Sequence, residues 1–279
     1  MNQLASDTMK IQLASDLHLE FLQREHPGER LITPAPDADV LVLAGDIANG
    51  TDAIRLFADW PVPVLYLAGN HEFYGLCMEN TRRELRAASR GSNVRFLDEE
   101  AVELGGVRFL GATLWTDYDL DGRPAQAAVM RMCERRLMDH SAIRTRRGTF
   151  EAADAWQEHQ SSRSWLQVKL AERFAGATVV ISHHGPHRNS VHPRYAGDPV
   201  NGGSSATSRC CWRRHRCGCT VTSTTVAPIA LAVAGWWSIR AGTSSPGTRR
   251  WIAASGSSKT RPSRMPASFN SRSGAHEGQ

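Results

Sequence analysis

Four short apolar runs, each broken off by a cluster of glycine and polar residues, constrain this chain more than any other feature. Ile11 to Ala14 leads into Ser15-Asp16-Leu17-His18, and Asp39 to Ala44 leads into Gly45-Asp46. Val64 to Ala68 leads into Gly69-Asn70-His71-Glu72, and Ala177 to Ser182 into His183-His184-Gly185-Pro186. Runs of four to six apolar residues bounded by turn residues read as strands buried on both faces. Between them, Thr51 to Asp59, Met78 to Arg90, Pro124 to His140 and Phe150 to Phe174 carry helical spacing. Val94 to Leu97, Ala101 to Leu104 and Val107 to Ala112 read as further strands, the last two joined through Gly105-Gly106 as a hairpin. Strands alternating with helices predict an α/β domain, and open α/β sheets place their sites at the strand ends.

The polar residues at those ends have metal-binding chemistry. Asp16 and His18 are two residues apart on a strand, so both side chains point to one face. Each alone has an ordinary explanation. Asp46 suits a helix cap, Asn70 a left-handed turn, and His71 or His183 a core or surface imidazole. Together they bring oxygen and imidazole donors to one rim, a set suited to two divalent cations such as Mn, Fe or Zn.

In these motifs the chain resembles the calcineurin-like metallophosphoesterases. Their pattern runs Asp-x-His, Gly-Asp, Gly-Asn-His-Asp/Glu, a lone His after an apolar strand, then Gly-His-x-His; the first four stand here in order over Lys10 to Pro186. The resemblance implies a four-layer sandwich, two β-sheets flanked by helices, incomplete at its C-terminal end. It implies that Asp16 and His18 hold one metal, Asn70 and His183 the other, and that Asp46 bridges them. It further implies hydrolysis of small phosphate mono- or diesters, with His71 steadying the leaving oxygen or giving it a proton. Glu72 is expected to orient His71, and His184 and His187 to line the phosphate pocket.

The last stretch breaks the pattern. Residues 1–200 carry 22 basic and 27 acidic residues, whereas residues 201–279 carry 11 basic residues and the single acid Glu277. Such a jump marks a boundary, which puts a phosphoesterase domain at residues 9–200 and a basic, disordered tail beyond it. Cys210, Cys211, Cys217 and Cys219 fall in the tail with spacing that fits no common zinc module. The basic tail on its own carries a competing class, salt-sensitive nucleic-acid binding, without a recognisable module. A catalytically dead metal-binding remnant is a third.

The genetic code gives a sharper account. The tail can be back-translated with G- or C-ending codons at most free positions, and A- or T-ending ones at Cys217, Ser238 and Gly242, then read one nucleotide earlier. Gly218 to Thr225 becomes Trp-Val-His-Gly-His-Val-His-Asp, and Gly235 to Gly242, read across into the next codon, gives Val-Val-Val-Asn-Pro-Arg-Gly-Tyr. The first restores the absent Gly-His-x-His behind a strand. Consecutive tryptophans at Trp236 and Trp237 force one of the valines, and threonine after a C-ending codon forces histidine. This predicts a one-nucleotide loss near Gly202-Gly203, an out-of-frame tail and an incomplete metal site. Gln3 to Asp7 repeats as Gln12 to Asp16, so residues 1–8 read as an appendage. No signal peptide or span-length apolar segment is visible, and a cytoplasmic protein without membrane or evident protein partners is expected.

Overall fold

Two sheets packed face to face form the centre of the protein, seen in a computed structural model. It describes residues 8–120, 122–191, 195, 197–206, 219–222 and 233–240. The first sheet has the order β11-β1-β2-β3-β4. Its parallel strands are β1 (Thr8–Ser15), β2 (Val40–Ala44), β3 (Val64–Leu67) and β4 (Val94–Phe96). β11 (Val233–Arg240) runs antiparallel to β1. The second sheet has the order β10-β9-β6-β5: β6 (Val107–Ala112), β9 (Ala177–Ser182) and β10 (Cys219–Thr222) are parallel, and β5 (Glu100–Leu104) is antiparallel. A small hairpin of β7 (Arg144–Thr145) and β8 (Gly148–Thr149) lies apart.

Alternation along each strand builds the layers. Ile11, Leu13, Val40, Val42, Leu65 and Leu67 of the first sheet meet Val107, Phe109, Val179 and Ile181 of the second in one buried cluster. On the first sheet's outer face, Leu41, Leu43, Val64 and Tyr66 pack with α2 (Asp52–Phe57) and α3 (Met78–Ser89) through Ala53, Phe57, Met78 and Leu85. On the second sheet's outer face, Leu110 and Val180 pack with Leu166 and Leu170 of α6 (Ala152–Ala171). The result is the helix, sheet, sheet, helix order expected. A one-residue slip of β3 would put Tyr66 where Leu65 and Leu67 now pack, so burial fixes the register.

Differences from the expected elements are local. The helix read as continuous from Pro124 to His140 divides into α4 (Arg123–Arg136) and α5 (Asp139–Ala142), because Leu137 is extended (ψ 135°). A single helical turn, α1 (Leu19–Leu22), follows His18 directly. Close packing continues six residues past the expected boundary at 200: Asn201, Gly202, Gly203, Ser205 and Ala206 are buried. Thr116 donates to the Gly202 and Ser205 carbonyls.

Within the tail, read from sequence as lacking strands, Cys219–Thr222 and Val233–Arg240 are paired. The physical reason is that β9 and β1 would otherwise each leave a row of unpaired backbone groups at a sheet edge, which favours adding a strand. Cys210, Cys211 and Cys217 lie outside the described residues. No helix among the described residues is long and apolar enough to cross a membrane.

Candidate metal centre

The turns after β1 and β2 run side by side. The amides of Asp16, His18 and Leu19 donate to the carbonyls of Gly45, Asp46 and Ile47 at 3.0, 3.0 and 2.9 Å. The backbone is left-handed at Asp16 (φ 52°), His18 (46°) and Asp46 (55°). Non-glycine residues rarely adopt this conformation, and it persists where the surroundings over-determine it.

Glu72 provides that constraint. Fully buried, its carboxylate accepts from the amides of Asp46 (3.1 Å), Ile47 (2.9 Å) and Gly69 (2.8 Å) and from the Tyr66 hydroxyl (2.9 Å). Burial and the Asp46 charge push Glu72 up to about 7, against the pull of the Ile47 amide. Glu72 therefore departs from its expected role: its carboxylate steadies two turns, and the carboxylate that meets the His71 ring is Glu20.

Two glycines let the strand ends close. A Cβ on Gly69 would lie 2.2 Å from Asp46 Oδ1 and 2.8 Å from His183 Cε1. A Cβ on Gly45 (φ 88°) would lie 2.5 Å from His183 Nδ1. Any other residue there would displace the polar atoms that face one another.

The convergence yields two donor groups, Asp16 with Asp46 and His183, and His18 with Asp46 and His71; within each group the candidate ligand atoms lie within 4.8 Å of one another. Asp46 belongs to both. His183 Nδ1 is 3.0 Å from the Ala44 carbonyl, an acceptor, so Nδ1 carries the proton and Nε2 faces the centre. That Nε2 is 3.2 Å from Asn70 Oδ1 and 3.5 Å from Asp46 Oδ1. Burial opposes charge on His183, but the adjacent Asp46 carboxylate outweighs it and lifts the ring to about 10. Asp46 is in turn held well below the usual carboxylate range: burial opposes this, and the His183 charge overrides it.

Asn70 is clamped from behind. Its Nδ2 donates to Asp139 Oδ1 at 2.8 Å and to the Tyr74 hydroxyl at 3.0 Å, while that hydroxyl donates to Asp139 at 2.6 Å. With the amide nitrogen occupied, Oδ1 is the atom turned toward His183. His71 stacks on Tyr74 at 4.1 Å, meets His18 edge-on at 4.3 Å, and its amide donates to Asp46 Oδ1 at 3.0 Å.

His184 and His187 are placed differently. His184 is buried, stacked on Trp115 at 5.0 Å, and its amide donates to the Thr113 carbonyl. Burial and neighbouring His183 lower it to about 3, so it is a neutral ring beside a charged one. His187 Nδ1 accepts from the Asn189 amide at 3.2 Å and caps the 3-10 turn Arg188–Ser190. Neither belongs to the two donor groups.

The residues fit a divalent cation. Carboxylate, amide and imidazole donors suit Mn, Fe or Zn. The buried Glu20 Oε2 at the rim makes no hydrogen bond. Sequence reasoning missed Glu20, Tyr74 and Asp139. Glu20 carried a signal, since it is the next step of two after Asp16 and His18. Asp139 carried none, being 69 residues from Asn70.

The family model for calcineurin-like phosphoesterases matches residues 9–206. The chain belongs to this family. An uncharacterized protein of Acanthamoeba polyphaga mimivirus is 22% identical over 208 residues, covering 68% of this chain and 72% of the relative. Among solved structures, the phosphopantetheinyl hydrolase of Mycobacterium tuberculosis shares the fold with a TM-score of 0.57 at 20% identity, covering 78% of this chain and 83% of that one. The chemistry of calcineurin-like phosphoesterases in general is metal-dependent hydrolysis of phosphate esters, and the rim of this chain carries candidate ligands for a divalent metal.

Proposed function

We propose that the rim holds two divalent cations and hydrolyses a small phosphate mono- or diester. The observation that carries this is Asp46, one carboxylate belonging to both donor groups. In this reading Asp16 and His18 hold one cation, Asn70 and His183 the other, and Asp46 lies between; the two donor groups divide differently, with Asp16 beside His183 and His18 beside His71, and only Asp46 common to both. The 3.2 Å approach of Asn70 Oδ1 to His183 Nε2 supports the second pair. Divalent cations held there supply Lewis-acid charge at the phosphoryl group. The chain's own residues do the rest. His71 has Nδ1 engaged by Glu20, which leaves Nε2 to protonate or steady the leaving oxygen.

The proposal extends to the tail. β10 lies beside β9 with Thr222 opposite Ser182, the residue before His183. Read one nucleotide earlier, Thr220, Thr222 and Thr224 become the histidines of His-Gly-His-Val-His. That sequence would start on the strand next to the His183 turn. This register supports a lost nucleotide near Gly202-Gly203 and a centre that the restored frame would complete.

The test is Mn(II)-dependent hydrolysis of p-nitrophenyl phosphate and bis(p-nitrophenyl) phosphate by the chain as written and by its restored frame. Activity is expected in the restored protein and its loss on Asn70→Ala or His71→Ala. Hydrolysis that persists in chelator, or that ignores both substitutions, sinks the reading. Resequencing the codons for Val200 to Ser205 decides the frame directly.

A further inference from the structure

The residue that the rim leaves unexplained is Glu20. It sits on α1, the one turn that starts immediately after His18, and its side chain is 17% exposed. Its Oε1 lies 3.1 Å from His71 Nδ1, a hydrogen bond, and 3.4 Å from His18 Nδ1, close enough to act through its charge though without hydrogen-bond geometry. The two rings meet edge-on above it, 4.3 Å apart at 68°. His18 Nε2 is the nitrogen that faces Asp46, 3.9 Å from Oδ2. Oε2 is buried without a hydrogen bond.

One carboxylate thus stands behind two imidazoles. A neutral imidazole carries its proton on one nitrogen only, and a carboxylate behind that nitrogen selects it. We infer that Glu20 is a positioning residue that holds the proton of both His18 and His71 on Nδ1, so that both present Nε2 to the centre. For His18 this leaves a lone pair for a cation; for His71 it leaves the nitrogen that meets the leaving oxygen. The inference rests on the metal reading for what the two rings do, though not for how Glu20 holds them. A carboxylate behind a metal-bound histidine is a common arrangement, but sharing one between a ligand and a leaving-group residue couples the two roles.

The experiment uses the full chain with 15N in its histidine rings. In metal-free wild type, His18 and His71 are expected to carry Nδ1–H. Glu20→Ala should shift both toward the Nε2–H form, while Glu20→Gln, which keeps an acceptor oxygen, should retain most of the original state. Wild-type rings with bare Nδ1, or rings unchanged by Glu20→Ala, overturn the inference. Titration with Mn(II) separates it from the metal reading. Glu20→Ala is expected to weaken Mn(II) binding about 10- to 100-fold, with Glu20→Asp recovering part of it. Equal affinity in wild type and Glu20→Ala overturns the His18 arm. A wild type that takes up no Mn(II) overturns the metal reading, and the ring spectra then decide Glu20 alone.

Discussion

The two sheets contribute unequally to the rim where they meet. The first supplies Asp16, His18, Asp46 and Asn70 from three adjacent parallel strands, braced by one buried carboxylate, Glu72. The second supplies His183 at the end of β9, and β10 beside it ends in threonine where the out-of-frame reading puts histidine. The first half is over-determined, whereas on our proposal the second stops short of its full ligand set. The left-handed turns at Asp16 and Asp46 are held within the first sheet's own loops, by the hydrogen bonds between them and by Glu72.

The largest expected effect comes from completing the weaker half. Restoring the frame should raise Mn(II)-dependent kcat/KM at least about 100-fold, since even an outer partner of a ligand is worth about 10- to 100-fold. Equal kcat/KM in both frames would show that the second sheet needs no further ligands. The converse is to damage the stronger half. Gly69→Ala puts a methyl 2.2 Å from Asp46 Oδ1. It should abolish measurable Mn(II) binding and cost about 1–3 kcal/mol in denaturant unfolding; unchanged binding would mean the turn is slack.

The join between the halves is His183, and it titrates. Its folded pKa is raised to about 10, so the metal-free ring holds a proton throughout the neutral range. A cation must displace that proton, so Mn(II) affinity should rise about tenfold per pH unit from pH 6 toward 9. A flat profile by calorimetry would remove His183 from the ligand set. The smallest effect is at Asn70, where Asp139→Ala frees the amide to rotate. About a tenfold loss of Mn(II) affinity is expected, with unfolding free energy changed by about 1 kcal/mol. A stability loss without an affinity loss would make Asp139 purely a packing residue.

These positions also mark how far the sequence could be read. The four strand ends were legible because strand period, glycine turns and ligand chemistry are all local. The split between α4 and α5 was not, because nothing in Leu137 or Met138 forces the chain to turn there. That turn puts Asp139 at the start of α5, beside Tyr74 and Asn70. The role of Glu72 was misjudged for a related reason. Adjacency in sequence pointed to His71, whereas its carboxylate reaches backbone amides 25 and 26 residues earlier.

The sequence by itself determined the family, the α/β layering and which donors stand at which strand end, since each follows from patterns a few residues long. Only the tertiary structure decided which donors converge, what clamps Asn70, and that Glu20 stands behind two histidines. Most of those relations join residues far apart in sequence, such as His71 with Glu20, 51 positions apart, and Asn70 with Asp139, 69 apart. They exist because the order β11-β1-β2-β3-β4, packed against β10-β9-β6-β5, brings parallel strand ends to one edge. Side-chain chemistry is written locally, but proximity is set by the sheets.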